Sequence, residues 1–135
     1  MKKIEHIGIA VEDLAAAEII YEDILRAQSY KQEAVEREGV LTSFFKTGDS
    51  KIELLAATRP DSAIAKYIAK RGPGMHHIAF AVDDIAAEIS RLQERGYRVL
   101  NPEPKRGADN KWVAFLHPKS TKGVLVELCQ EIGAK

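Results

Sequence analysis

The chain has 135 residues, of which 45% are apolar and 30% are charged, an ordinary composition for one compact unit with a hydrophobic core. Lysine plus arginine equals aspartate plus glutamate, so the net charge gives no general attraction to nucleic acid or to anionic lipid. No apolar run approaches the roughly 20 residues that span a bilayer, the N-terminus lacks a signal-peptide pattern, and the single Cys129 excludes an intrachain disulfide framework. We therefore expect one globular domain, residues 1–135, in the cytoplasm, with neither nucleic acid nor membrane as a partner.

The first half of the chain predicts the order β-α-β-β-β. A strand over residues 4–11 runs into an acidic turn at 12–14, where Asp13 can cap a helix. An apolar stripe with helical spacing then begins at Leu14. Three strand candidates follow at about 29–36, 39–47 and 50–57, which closes a first module at about 3–57.

A short connector lies between the two halves. Asp61 and Ser62 can cap a helix over about 61–71, which carries an apolar face of its own, and the residues 71–74 end it. The connector therefore does not read as a loose linker between domains.

The second half repeats the first. Residues 75–82 form a strand that enters an acidic turn, a helical stripe ends near Gly96, and strands are expected at 97–100, 111–117 and 123–130. The polar stretch 101–110 is expected to be a loop. The second module therefore covers about 75–130.

The two first strands align with His6 on His77, and their side chains alternate in the same way. In each strand the residues that share a face with the histidine are small, and the residues on the other face are bulky. The bulky faces suit packing against helices, and the small faces leave space beside each histidine. We expect an α+β fold in which two βαβββ modules form one curved, mostly antiparallel eight-stranded open barrel with helices outside.

The last strand of each module adds a carboxylate, Glu53 in the first and Glu127 in the second. Each glutamate lies among large apolar residues, where an unpaired carboxylate would be costly. The repeat thus supplies one imidazole and one carboxylate per module, at matching positions. His6, Glu53, His77 and Glu127 are therefore predicted to hold one divalent ion, such as zinc, cobalt, nickel, manganese or iron. Such a site leaves coordination positions for water or substrate, as catalysis needs.

These residues carry a resemblance that runs from about residue 4 to residue 130. The chain resembles the vicinal oxygen chelate superfamily, which includes glyoxalase I, and within it the methylmalonyl-CoA epimerase family. The strings that support this resemblance are His6-Ile-Gly-Ile-Ala-Val, Gly74-Met-His-His-Ile-Ala-Phe, Phe115-Leu-His-Pro-Lys-Ser and Gly123-Val-Leu-Val-Glu-Leu.

The resemblance implies an isomerase that interconverts (R)- and (S)-methylmalonyl-CoA by α-proton abstraction through a metal-stabilised enolate. It implies a divalent ion (Co, Zn, Ni or Mn) on His6, Glu53, His77 and Glu127, and a homodimer. The family gives the counterpart of Glu127 a double role as ligand and acid/base. Some members place a second glutamate where this chain has Thr42, so Glu53 or a water is the candidate for the second proton carrier.

A CoA ester also brings phosphates, which basic residues in the loops around the last two strands could contact. The candidates are Lys105, Arg106, Lys119 and Lys122, of which Lys119 belongs to the His-Pro-Lys-Ser string.

Two other functions remain open at this point. A glyoxalase I-type lactoylglutathione lyase would use the same four ligands. A small-molecule-binding protein on the same fold would lack catalysis, although such proteins lack the complete ligand set. Proton exchange at the substrate α-carbon separates an enzyme from a binder.

Overall fold

The computed structural model describes residues 1–133, which fold into eight strands and three α-helices. The elements are β1 (Lys3–Ala10), α1 (Leu14–Leu25), β2 (Lys31–Val35), β3 (Val40–Thr47), β4 (Ser50–Ala57), α2 (Ala63–Arg71), β5 (Gly74–Ala81), α3 (Ile85–Glu94), β6 (Lys105–Gly107), β7 (Lys111–Leu116) and β8 (Val126–Glu131). The chain divides into two compact units. The N-terminal unit is His6–His76, and the C-terminal unit is the chain from His77 onward together with Met1–Glu5. None of the described helices is long and apolar enough to cross a membrane.

The sheet of the N-terminal unit has the strand order β2-β3-β4-β1. The pairs β2–β3 and β3–β4 are antiparallel, whereas β1 and β4 run parallel. The segment α1-β2-β3 supplies the crossover connection that a parallel pair needs. Helix α1 begins where the sequence predicts, since the Asp13 carboxylate accepts a hydrogen bond from the Ala16 amide at 3.1 Å. The predicted β-α-β-β-β order of the first module is confirmed.

The bulky face of β1 packs against a helix, as its alternating side chains predict, whereas the small face is only partly open. Ile9 and Val11 join Ala17, Phe45 and Leu54 in a core cluster, so the bulky face lies against α1.

On the small face, Ala10 is buried in a second cluster that includes Leu55 and Ile64 of α2. Helix α2 therefore fills the space at the Ala10 end of this face. Its first turn is capped as predicted, because the Ser62 hydroxyl accepts a hydrogen bond from the Ala65 amide at 3.1 Å.

The sheet of the C-terminal unit has the order β5-β8-β7-β6, with β5 and β8 parallel and the other pairs antiparallel. Helix α3 packs on one face of this sheet through Ile85, Ile89 and Leu92, which are all buried. The Asp84 carboxylate caps the helix at the Ala87 amide. Each unit therefore has one parallel and two antiparallel strand pairs.

The second strand of the second module is not where the sequence predicts it. The strand predicted at 97–100 is reduced to a bridge between Val99 and Leu116. Two backbone hydrogen bonds flank it, from the Leu100 amide to the Phe115 carbonyl and from the His117 amide to the Arg98 carbonyl. The Asn101 side chain accepts a hydrogen bond from the Phe115 amide and donates one to the Val113 carbonyl, so a side chain replaces the backbone ladder at this point. Strand β6 instead forms at Lys105–Gly107, inside the stretch predicted as a loop.

Candidate metal centre

In the N-terminal unit, His6 and Glu53 are brought together by the parallel pairing of β1 with β4. Gly8 is registered with Glu53, and His6 precedes Gly8 by two residues, so its side chain lies on the same face of the sheet. His6 Nδ1 lies 3.3 Å from Glu53 Oε2. Both side chains are buried, with 5% and 6% of their surface exposed.

In the C-terminal unit, His77 and Glu127 form the corresponding pair. Ala79 is registered with Glu127 in the parallel pairing of β5 with β8, and His77 again lies two residues before that position. His77 Nε2 is 3.1 Å from Glu127 Oε1, and both side chains are buried. The Phe115 ring meets the imidazole edge to face, with centroids 6.0 Å apart, which holds the ring orientation.

The two pairs have the same register, so the repeat seen in the sequence extends to three-dimensional structure within each unit. A buried carboxylate needs a partner that offsets its lost hydration. A neutral imidazole and a carboxylate side by side both offer lone pairs, and this donor chemistry suits a divalent transition ion or zinc. Each pair therefore fits half of the predicted donor set.

Thr42 lies on the same face of the N-terminal sheet as Glu53. It is registered with Leu55, two residues after Glu53, and is 1% exposed. Its hydroxyl is neither a strong base nor a strong acid, so this position supplies no proton carrier.

On the neighbouring strand, Thr42 is registered with Glu33, a carboxylate without a counterpart in the sequence repeat. In the sequence, the only sign that Glu33 faces this side is that Lys31, Glu33 and Val35 alternate along β2. Which face of the sheet they share becomes known only from the register of β2 with β3.

The predicted phosphate contacts lie on different parts of the C-terminal unit. Lys119 is exposed on the 3-10 turn Pro118–Thr121, which His117 caps by accepting a hydrogen bond from the Lys119 amide. Lys122 ends that turn and is also exposed.

Arg106 and Lys105 lie on opposite faces of β6. Lys105 is registered with Val113, two residues before the Phe115 position that faces Glu127. Arg106 instead is registered with Trp112, and its guanidinium lies 5.6 Å from the centre of the indole ring. Lys105 therefore shares the face of Glu127, whereas Arg106 is on the other side of the strand.

Comparison with known proteins identifies relatives over nearly the whole chain. Residues 5–115 match the model of the Glyoxalase/Bleomycin resistance protein/Dioxygenase superfamily. The mitochondrial methylmalonyl-CoA epimerase of Homo sapiens is 43% identical over 129 residues, which cover 95% of this chain and 73% of that protein. The ethylmalonyl-CoA/methylmalonyl-CoA epimerase of Cereibacter sphaeroides is 43% identical over 130 residues, which cover 95% of this chain and 97% of that protein.

Solved structures give the same result. A variant of the Streptomyces coelicolor methylmalonyl-CoA epimerase, in complex with 2-nitronate-propionyl-CoA, is 38% identical and superposes with a TM-score of 0.92 over 100% of this chain and 98% of that one. The predicted fold class, an α+β fold of two βαβββ modules, is therefore confirmed. The chain belongs to the methylmalonyl-CoA epimerase family of the glyoxalase/bleomycin resistance protein/dioxygenase superfamily.

Proposed function

We propose that the protein is an isomerase that interconverts (R)- and (S)-methylmalonyl-CoA by removing and returning the proton at the α-carbon. The observation that carries this proposal is the repeated, buried His–Glu pair in a chain that belongs to the epimerase family. An α-proton between a thioester and a carboxylate is weakly acidic, so the reaction needs a base and a way to stabilise the developing enolate charge.

We further propose that His6, Glu53, His77 and Glu127 together hold one divalent ion, namely Co, Zn, Ni or Mn. The support is the identical register of the two pairs and their burial, which excludes most competing water. When bound, such a cation supplies positive charge that stabilises an enolate oxygen in the transition state.

The residues of the chain supply the proton transfer. Glu127 is the first acid/base candidate because its carboxylate is buried among apolar residues, where it is poorly hydrated and close to its histidine partner. Glu53 has the same surroundings in the N-terminal unit and is the second candidate named by the sequence.

The substrate is proposed to be an acyl-CoA, with Lys119 and Arg106 as contacts for its phosphates. Both side chains are exposed and therefore accessible to an anionic ligand. A homodimer and a cytoplasmic location complete the proposal. Both rest on the family resemblance and on the composition of the chain.

The experiment is incubation of the purified protein with (S)-methylmalonyl-CoA in deuterated water. Epimerisation with incorporation of deuterium at the α-carbon is expected. A parallel assay with methylglyoxal and glutathione tests a glyoxalase I-type activity, which uses the same ligand types. A protein that only binds its ligand gives neither product nor exchange, and that result would refute the proposal.

A further inference from the structure

The pairing of β2 with β3 brings a further carboxylate to the face of the N-terminal sheet that carries Glu53. Glu33 of β2 is registered with Thr42 of β3, and Thr42 is registered with Leu55 of β4. Directly opposed residues share a face of the sheet. Leu55 lies two residues after Glu53, so Glu33 and Glu53 project from the same side.

The contacts of Lys31 and Val35, two residues before and after Glu33, also place this face of β2 on the Glu53 side of the sheet. The Lys31 ammonium lies 4.7 Å from the centre of the Phe44 ring, and Phe44 is registered with Glu53. Val35, two residues after Glu33, packs against the core cluster under α2 that also contains Leu55. Alternate residues of β2 on both sides of Glu33 therefore face the Glu53 side of the sheet.

Glu53 and Glu33 differ in how far water can reach their carboxylates. The Glu53 side chain is 6% exposed and lies against His6, whereas the Glu33 side chain is 36% exposed on the edge strand and forms an ion pair of 3.8 Å with Lys31. A carboxylate that water can reach exchanges its proton with solvent between turnovers.

One strand, β3, separates Glu33 from Glu53 on this face of the sheet. Their strands are two apart and their positions differ by two residues, which places the two Cα atoms about 12 Å apart at standard strand spacing. On β3, Thr42 is registered with Glu33 and Phe44 with Glu53, and both of these residues are buried. Both side chains project from this face of the sheet, so a substrate held at Glu53 lies on the same side as the Glu33 carboxylate.

We propose that Glu33 is a catalytic residue, namely the second proton carrier of the epimerase reaction; this inference rests on the function proposed above. Inversion requires one group on each side of the α-carbon. For one epimer, the Glu33 carboxylate removes the α-proton, and the electron pair of the C–H bond passes into the enolate. A second acid, for which protonated Glu127 is the candidate, then returns a proton. The other epimer reacts in reverse, so protons balance and no oxidant or reductant is needed.

The test compares Glu33→Gln with two controls in the full-length, metal-loaded protein. Glu36→Gln makes the same chemical change on the neighbouring 3-10 turn, where the side chain is exposed and off the sheet. Lys31→Met removes the ion pair but keeps the Glu33 carboxylate. Epimerisation and α-deuterium exchange are measured separately from each epimer, and the metal content is measured by elemental analysis.

Glu33→Gln is expected to slow epimerisation by on the order of 100-fold, the usual contribution of a general acid or base. Exchange from one epimer should persist with retention of configuration, because the second acid/base group is intact, and metal content should be unchanged. Glu33→Asp should recover part of the rate. Glu36→Gln should behave as wild type, and Lys31→Met should stay within a few-fold of it.

Three results would overturn the assignment. They are a Glu33→Gln variant that epimerises at the wild-type rate, equal losses in Glu33→Gln and Lys31→Met, and a Glu33→Gln variant that loses metal and exchange from both epimers. The first would leave proton transfer to Glu53 or to water, and the other two would show a structural role. A wild-type protein with no epimerase activity would instead refute the function on which the inference rests.

Discussion

Replacement of Gly39 by alanine tests how the turn before β3 is packed. Gly39 follows the 3-10 turn Glu36–Glu38 and has φ +65°, a conformation that L side chains rarely adopt. A Cβ at this position would lie 2.9 Å from Arg59 Cζ and 2.9 Å from Ser62 Cβ. Because β3 separates the strands that carry Glu33 and Glu53, a shift here would also reach the proposed site.

The expected cost has two parts. The left-handed conformation costs an alanine roughly 1–2 kcal/mol. The Arg59 guanidinium must also move, and it donates hydrogen bonds to the carbonyls of Glu36 and Arg37 at 2.5 and 2.9 Å. Loss of these two bonds, discounted because the side chain is 41% exposed, costs about 1–2 kcal/mol more. The free energy of unfolding should therefore fall by about 2–4 kcal/mol, a large part of the ~5–15 kcal/mol typical of a domain.

Urea denaturation followed by circular dichroism measures this change, and Gly48→Ala is the matched control. Gly48 has φ +63°, nearly the same value, but no atom lies within 4 Å of the Cβ that an alanine would add. Gly48→Ala should therefore cost only the conformational part, roughly 1–2 kcal/mol. If the two variants unfold at the same urea concentration with the same m value, the packing argument is refuted.

Three further predictions concern metal, substrate and core. His77→Ala should lower the metal content measured by elemental analysis. His76→Ala should retain the metal, because His76 packs on Tyr67 instead. Equal metal content in both variants would contradict the ligand assignment. Lys119→Ala should raise KM for the CoA ester several-fold with kcat unchanged, and an unchanged KM in steady-state kinetics would remove Lys119 from the binding site. Ile89→Ala should lower the free energy of unfolding by about 2–5 kcal/mol, because Ile89 is 3% exposed in the α3 core; a loss below 1 kcal/mol in urea denaturation would show that the site collapses around the smaller side chain.

Local signals predicted most of the elements well. The caps at Asp13, Ser62 and Asp84 all accept the expected amide hydrogen bonds, because capping depends on residues only three apart. The strand predicted at 97–100 is reduced to one bridge at Val99, which backbone hydrogen bonds flank on both sides. Beyond it, the Asn101 side chain takes the hydrogen bonds of a backbone partner. A side chain that replaces a ladder bond depends on the neighbouring strand, which the local pattern does not contain.

Among the residues of the site, some could likewise be predicted from the sequence and others could not. The pairs His6–Glu53 and His77–Glu127 could be predicted, because a repeated pattern marks both members at matching positions. Glu33 could not, since it has no counterpart in the repeat. It stays a prediction that one ion uses all four predicted ligands. The phosphate contacts at Lys119 and Arg106 stay predictions as well.

The amino-acid sequence by itself determined which residues alternate along each strand, where each helix starts and which side chains can donate lone pairs to a cation. These properties follow from local geometry, which repeats every two residues in a strand and about every 3.6 in a helix. Only the tertiary structure decided which residue stands opposite which, such as Gly8 beside Glu53 or Glu33 beside Thr42. Register is set by hydrogen bonds and packing between distant parts of the chain, and a slip of one residue would turn every side chain of a strand to the other face.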